Sequence, residues 1–311
     1  IHVGGIGSSL NTPHYVKISP DNKYFYISLI GAGYLQKYDV NTYAQVSGNM
    51  QSGQSPAHIV ISPDDSIGYV TNFSSDHLLC GITSFNTSTM TVRGTLTDQK
   101  MPGTHGLALS NDGHYLYSTS QVGEYIFKIN TNYFTNTDSL IKSPIDPSVP
   151  PSGNGTGSFK PYQCALSPDN TLLFVTCTAA NQVRVYNTSD LSQVNSISVG
   201  LNPLILKFSN DGRYVFVCNR NDNTVSVINA STQTVQATIT GVGIQPHSVD
   251  FSADGQYAII ACETQSGFDG HHPTVGSIKP GSSRIIQISN LTLLTNRMEM
   301  ASFPAGIEII K

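Results

Sequence analysis

The sequence predicts an all-β fold, a ring of radially stacked four-stranded antiparallel blades, and three observations carry that prediction. A short mark, S-(P/N/A)-D-(G/N/D), recurs at Ser19, Ser62, Ser110, Ser167, Ser209 and Ser252, in steps of 43, 48, 57, 42 and 43 residues. Each mark is followed by an aromatic or aliphatic run: KYFYIS, IGYVTN, HYLYST, LLFVTC, RYVFVC and QYAIIA. Residues 202–241 read as four short strands in succession, at 204–208, 214–218, 224–228 and 235–239. A period of about 40 to 50 residues with four strands per period indicates a β-propeller rather than a helical solenoid.

Within a unit each element has a local reason. The Asp and Gly of the mark suit a tight hairpin, where Gly adopts φ > 0 at no steric cost and Asp tolerates it. The second strand, YVFVC in the fifth unit, is apolar without alternation, so both its faces are expected to be buried. The third strand alternates, as a half-covered strand would. Six complete units follow one another in a single domain, 1–311. The ends add two fragments: IHVGG at 1–5 resembles the end of a fourth strand, and FPAGIEII at 303–310 resembles a first strand. The expectation is a seven-bladed propeller with six complete blades and a seventh whose strands two and three are absent from this chain. Open edges between packed neighbours are costly, so a segment upstream of Ile1, or else a separate chain, is expected to supply them. An opening at Ile1 rather than Met suits a processed or truncated start.

Two insertions interrupt the repeat, 143–160 and 263–283, both too rich in Pro and Gly for a regular element. Connections from strand four to strand one, and from strand two to strand three, emerge at one end of an up-and-down blade. Both insertions are therefore expected on one face of the disc.

Composition narrows the function classes. Only 12% of residues are charged, and 16 Lys and Arg face 20 Asp and Glu, which supplies no basic field for nucleic acid. No apolar run is long enough to span a membrane. Trp is absent, which argues against a WD-type repeat. Five Cys occur with no C-x-x-C, which removes zinc-ribbon, thioredoxin and c-haem readings. Cys164 and Cys177 fall on adjacent strands, as a disulfide or as two buried thiols. No G-x-S-x-G, H-E-x-x-H, P-loop or EF-hand pattern occurs, and no catalytic residue, metal or cofactor is assigned. N-x-[ST] occurs at six positions, three of them a repeated turn that needs no glycosylation to explain it.

The residue five before each marker Ser opens the innermost strand at the central channel. Those positions hold His14, Ala57, His105, Tyr162, Leu204 and His247, with His58 one place further on. His271 and His272 lie in the second insertion, and Arg220 and Glu263 end second strands on the same face. Together these residues are the candidate ligand- or partner-binding face. The plain account of P-H is a turn-to-strand signature whose imidazole bonds neighbouring backbone. The sharper accounts are a ligand-binding mouth, or a metal centre built on neutral imidazoles. Opposing channel positions are expected to lie too far apart to share one ion unless a loop adds ligands.

The string SNDGRYVFVCNRNDNTVSVINASTQTVQATITGVGIQPHSVDFSADG, with Tyr69-Val70-Thr71-Asn72, resembles the YVTN family of bacterial and archaeal seven-bladed propellers over essentially the whole chain. The related lactonase propellers share the marker turn. The resemblance implies an exported, periplasmic or cell-surface protein. On this basis the sequence favours a non-enzymatic binding or scaffold propeller, tethered by an upstream lipid anchor or domain, whose partner is a protein or larger envelope assembly docked on the insertion-bearing face. The competing expectations are a lactonase-type hydrolase with its site in the channel mouth, and a propeller subunit serving a redox partner.

Overall fold

The computed structural model describes residues 13–264, 280–302 and 306–310. They form six four-stranded antiparallel sheets, each ordered first to fourth strand as the chain runs. These are blades one to six, at 13–51, 56–96, 104–144, 161–198, 203–239 and 244–302. The inner strands Pro13–Ile18, Pro56–Ile61, Thr104–Leu109, Pro161–Leu166, Pro203–Phe208 and Ile244–Phe251 lie side by side in that order.

The marker is a hydrogen-bonded knot repeated in every blade. In blade five the Ser209 hydroxyl donates to Asp211 Oδ1 (2.7 Å) and accepts from the Tyr214 N–H (3.0 Å), while the Arg213 N–H donates to the same carboxylate. Asp is thus the acceptor that ties the turn. Positive φ falls on the fourth residue: Asn22, Asp65, Gly113, Asn170, Gly212 and Asp-preceded Gly255, between 56° and 74°. Only Gly, Asn and Asp stand there, the residues for which that region costs least.

The second strands are buried as their runs predict; Tyr214–Asn219 is covered from its second residue onward. The third strands depart from expectation. Val225, Ser226, Val227 and Ile228 are all buried, with the Ser226 hydroxyl accepting from Asn219 Nδ2 at 2.9 Å. The polar face is covered because the blades stack on both sides. The core accordingly sits in the seams. Phe216 of blade five meets Phe251 of blade six edge-on, with 5.3 Å between ring centroids.

A second interaction joins one blade to the next. The second-strand hydroxyls of Ser28, Thr71, Thr119 and Thr176 donate to the carbonyls of Ala57, His105, Tyr162 and Leu204 in the following blade, at 2.7–2.8 Å. Each hydroxyl also accepts an N–H from its own inner strand, from Tyr15, His58, Gly106 and Gln163. At these positions the inner strand carries a β-bulge, which frees a carbonyl from the ladder and turns its side chain toward the axis. Gly106 permits the closest approach: a Cβ there would stand 2.8 Å from the Tyr162 carbonyl oxygen.

The blade count differs from the sequence expectation. Among the described residues there are six sheets and no seventh. Residues 306–310 form no strand, and 1–5 lie outside the described residues. Residues 306–310 nonetheless bridge blades one and six: Glu308 accepts from the Ile18 N–H and from Lys17, and the Ile309 N–H donates to Asp250. With no second strand beside it, this segment is held through carboxylates and not through a ladder. The five cysteines are buried free thiols; Cys164 opposes Val175 and Cys177 opposes Pro161, so the pair is out of register for a disulfide. The three repeated Asn turns behave as expected, with Asn86, Asn187 and Asn229 each accepting backbone N–H groups two residues on.

Ser209→Ala removes the acceptor of the partly buried Tyr214 N–H and is expected to cost about 1 kcal/mol, read from the urea midpoint. The marker carboxylates also set an acid limit. The Ser19 hydroxyl, foremost, holds Asp21 down to about 2, and equivalent serines lower Asp64, Asp112, Asp169 and Asp254. A folded value below the unfolded one, roughly 3.9, gives stabilisation that is complete above that pH and lost as pH falls through the folded value. Urea midpoints should therefore fall between about pH 4 and pH 2, and Asp→Asn at several markers should flatten that fall.

Candidate functional site in the channel mouth

The bulges bring His14, His105, Tyr162 and His247 to the axis, all 1–4% exposed. His105 stacks on Tyr162 with 3.7 Å between centroids and meets His14 and Phe73 edge-on at 5.4 and 5.5 Å. His14 also meets His247 edge-on at 6.4 Å. Imidazoles from blades one, three and six thus pack against one another as a plug across the channel. Among the described residues, no group of three His, Cys, Asp or Glu side chains has an arrangement that could hold a metal ion.

The second strands end just above this layer. Arg220 of blade five and Glu263 of blade six form a buried pair, with Arg220 Nε and Nη2 donating to Glu263 Oε2 at 3.0 and 2.6 Å. Glu263 Oε1 lies 3.7 Å from His247 Nε2, an ion-pairing distance when the imidazole is protonated. Burial, together with the Glu263 charge, pushes the Tyr162 phenol well above its ordinary value despite Arg220. It is therefore a neutral hydroxyl at any physiological pH.

Over the plug lies a pocket of 260 Å³ lined by Phe73, His105, Gln121, Lys160, Tyr162 and Arg220, with Thr178, Asn202 and Leu204 completing it. Phe73, Gln121, Thr178, Arg220 and Glu263 share one repeat position, eleven residues after a marker Ser. That alignment was available in the sequence and would have found the first three. Lys160 closes the first insertion, which does lie on the mouth face. The insertion is anchored by the buried Glu124, whose carboxylate accepts the Ser152 and Phe159 N–H groups at 3.0 Å. Its apolar residues turn inward, Ile145 and Phe159 joining the core between blades three and four.

His58 is the exception among the candidates. It sits one layer below the plug, its ring 4.1 Å from that of Tyr15, and does not reach the mouth. A one-residue step along the strand turns a side chain to a different level, which is why His58 and Ala57 part company. His271 and His272, and most of the second insertion, lie outside the described residues.

Residues 8–190 match the family model described as lactonase, 7-bladed β-propeller, and residues 167–294 match the cytochrome D1 haem domain model. No curated protein matches. The described residues do not fit a haem. A pocket of 260 Å³ that ends on the stacked His105 and Tyr162 rings has no room for a macrocycle.

Glu263→Gln leaves the Arg220 charge buried without its carboxylate and is expected to destabilise the fold by about 3–5 kcal/mol. The double variant Arg220→Met, Glu263→Leu should recover most of that loss. Thermal and urea unfolding of the three proteins checks both statements.

Proposed function

Since the chain belongs to the lactonase seven-bladed β-propeller family, we propose that it is a hydrolase that opens a small lactone or ester in the channel mouth. The observation that carries this reading is the convergence of His105 and Arg220 on one walled pocket, with Tyr162 beside them and Glu263 behind. His105 acts as the general base that takes a proton from the attacking water. A positioned imidazole contributes about 10²–10⁴-fold in such steps. Arg220 polarises the carbonyl oxygen and meets the negative charge that develops there. Glu263 holds the guanidinium in place. As the ring C–O bond breaks, the His105 imidazolium returns the proton to the leaving alkoxide, to which the neutral Tyr162 hydroxyl donates a hydrogen bond. Lys160 and Arg220 together make the pocket wall cationic, which favours substrates carrying an anionic substituent.

The scaffold reading has less behind it. The first insertion folds its apolar side chains into the core, and of its large hydrophobics only Val149 is exposed. An exported location, an upstream anchor and a seventh blade completed from outside these residues remain part of the proposal. The family's seven-bladed description and the place of 306–310 between blades one and six support the last.

The test is ring opening of δ-lactones followed by pH-stat, with and without an anionic substituent. His105→Gln should lower kcat by about 10²-fold, with an unchanged unfolding midpoint. Arg220→Lys should lower kcat/KM most for the anionic lactone. Full activity in His105→Gln would move the chemistry away from this pocket.

A further inference from the structure

Below the plug the channel opens again into a chamber of 220 Å³, reached from the face opposite the mouth. That is room for about seven water volumes at ~30 Å³ each. Its inner wall carries His58 and Gln163, both at most 5% exposed. Gln163 Nε2 is 2.9 Å from His58 Nε2 and 3.4 Å from the Cys164 carbonyl, so the amide nitrogen is the donor to both. His58 Nε2 then accepts, and its Nδ1 bears the proton. His58 Nδ1 and Gln163 Oε1 have no hydrogen-bond partner. His58 Nδ1–H is thus a buried donor and Gln163 Oε1 a buried acceptor, and each can take a hydroxyl group of its own.

The outer wall is charged. Lys17 and Lys207 line it with Glu308, and Asp250 stands behind Lys207, so two ammoniums face two carboxylates. Glu308 is already engaged by Lys17 and by the Ile18 N–H. Asp250, fully buried behind the wall, takes Lys207 at 2.7 Å. Each ammonium has three donors, so the lysines can take a further oxygen while the carboxylates are occupied. Burial, foremost, with the Lys17 and Lys207 charges pushes His58 down to about 3, so the inner wall is neutral. The two levels are separated by the two-residue step from Tyr15, which packs on His58, to Lys17, about 7 Å at ~3.3 Å per residue.

We propose that this lower chamber is a second binding site, for a small hydroxy-carboxylate whose carboxylate meets Lys17 and Lys207 and whose hydroxyl donates to Gln163 Oε1. The 7 Å span suits a hydroxyl on the fourth or fifth carbon of the acid, the carboxyl carbon counted as the first. Such acids are what an opened five- or six-membered lactone becomes, and only that link to a product rests on the reaction proposed above.

Isothermal titration with 5-hydroxypentanoate, pentanoate and pentane-1,5-diol tests the site without any turnover. The hydroxy acid should bind at least about tenfold tighter than either analogue, a difference of about 1.4 kcal/mol. Gln163→Leu and Lys207→Met should each weaken it about tenfold, and His105→Gln in the mouth should leave it unchanged. His58 ring resonances should shift on titration, which reports on the site even if one variant folds poorly. Equal affinity for pentanoate, absence of binding by the hydroxy acid, or loss of binding in His105→Gln would each overturn the proposal. Inactive mouth chemistry with intact hydroxy-acid binding would remove the catalytic reading alone.

Discussion

The molecule depends on one hydroxyl in each of its first four blades that serves two masters. Ser28, Thr71, Thr119 and Thr176 each accept an N–H from the strand they pair with and donate to a carbonyl of the next blade. A backbone group taken out of its ladder by a bulge needs a replacement partner. Here the replacement comes from the neighbour, so the distortion that aims a side chain at the axis is also what fastens one blade to another. Site geometry and ring closure share the same bonds.

That arrangement changes between the last two blades. At the corresponding positions blade five has Cys218, a weak donor, and blade six has Ala261, which has none. Across the seam from blade five to blade six the buried Arg220–Glu263 pair stands instead. From blade six to blade one the tie is the carboxylate contact of 306–310 with Lys17, Ile18 and Asp250. The functional charges therefore cluster where the repeat departs from its own rule. A blade that keeps its hydroxyl has an uncharged residue eleven after its marker Ser (Ile30, Phe73, Gln121 or Thr178), and at that same position the departing blades supply the cation and the anion.

How far the sequence revealed this varies by level. The repeat, the all-β class and the strand runs were legible because marker turns and apolar runs are local signals set by φ, hydrogen bonding and burial. The gathering of His14, His105, Tyr162 and His247 was legible too, since one repeat position maps to one place on a ring. His58 was misplaced because a single-residue offset in a strand changes level, and counting back from the marker does not weigh that. Phe73 and Gln121 went unnoticed because their position, unlike P-H, has no dipeptide to draw the eye. A seventh blade is not among the described sheets, because 306–310 meets blades one and six through single hydrogen bonds and no second strand pairs with it there. The third strand's burial was hidden by its alternation, which reads as exposure unless the polar side chains meet partners across a seam.

Tyr162 and Gln163 are consecutive residues, yet one belongs to the pocket above the aromatic plug and the other to the chamber below. Matter does not cross the axis there, but a single peptide unit is common to both compartments. Any tilt of that unit is felt on the two faces of the disc at once, so the ring transmits displacement along a line that it closes to diffusion.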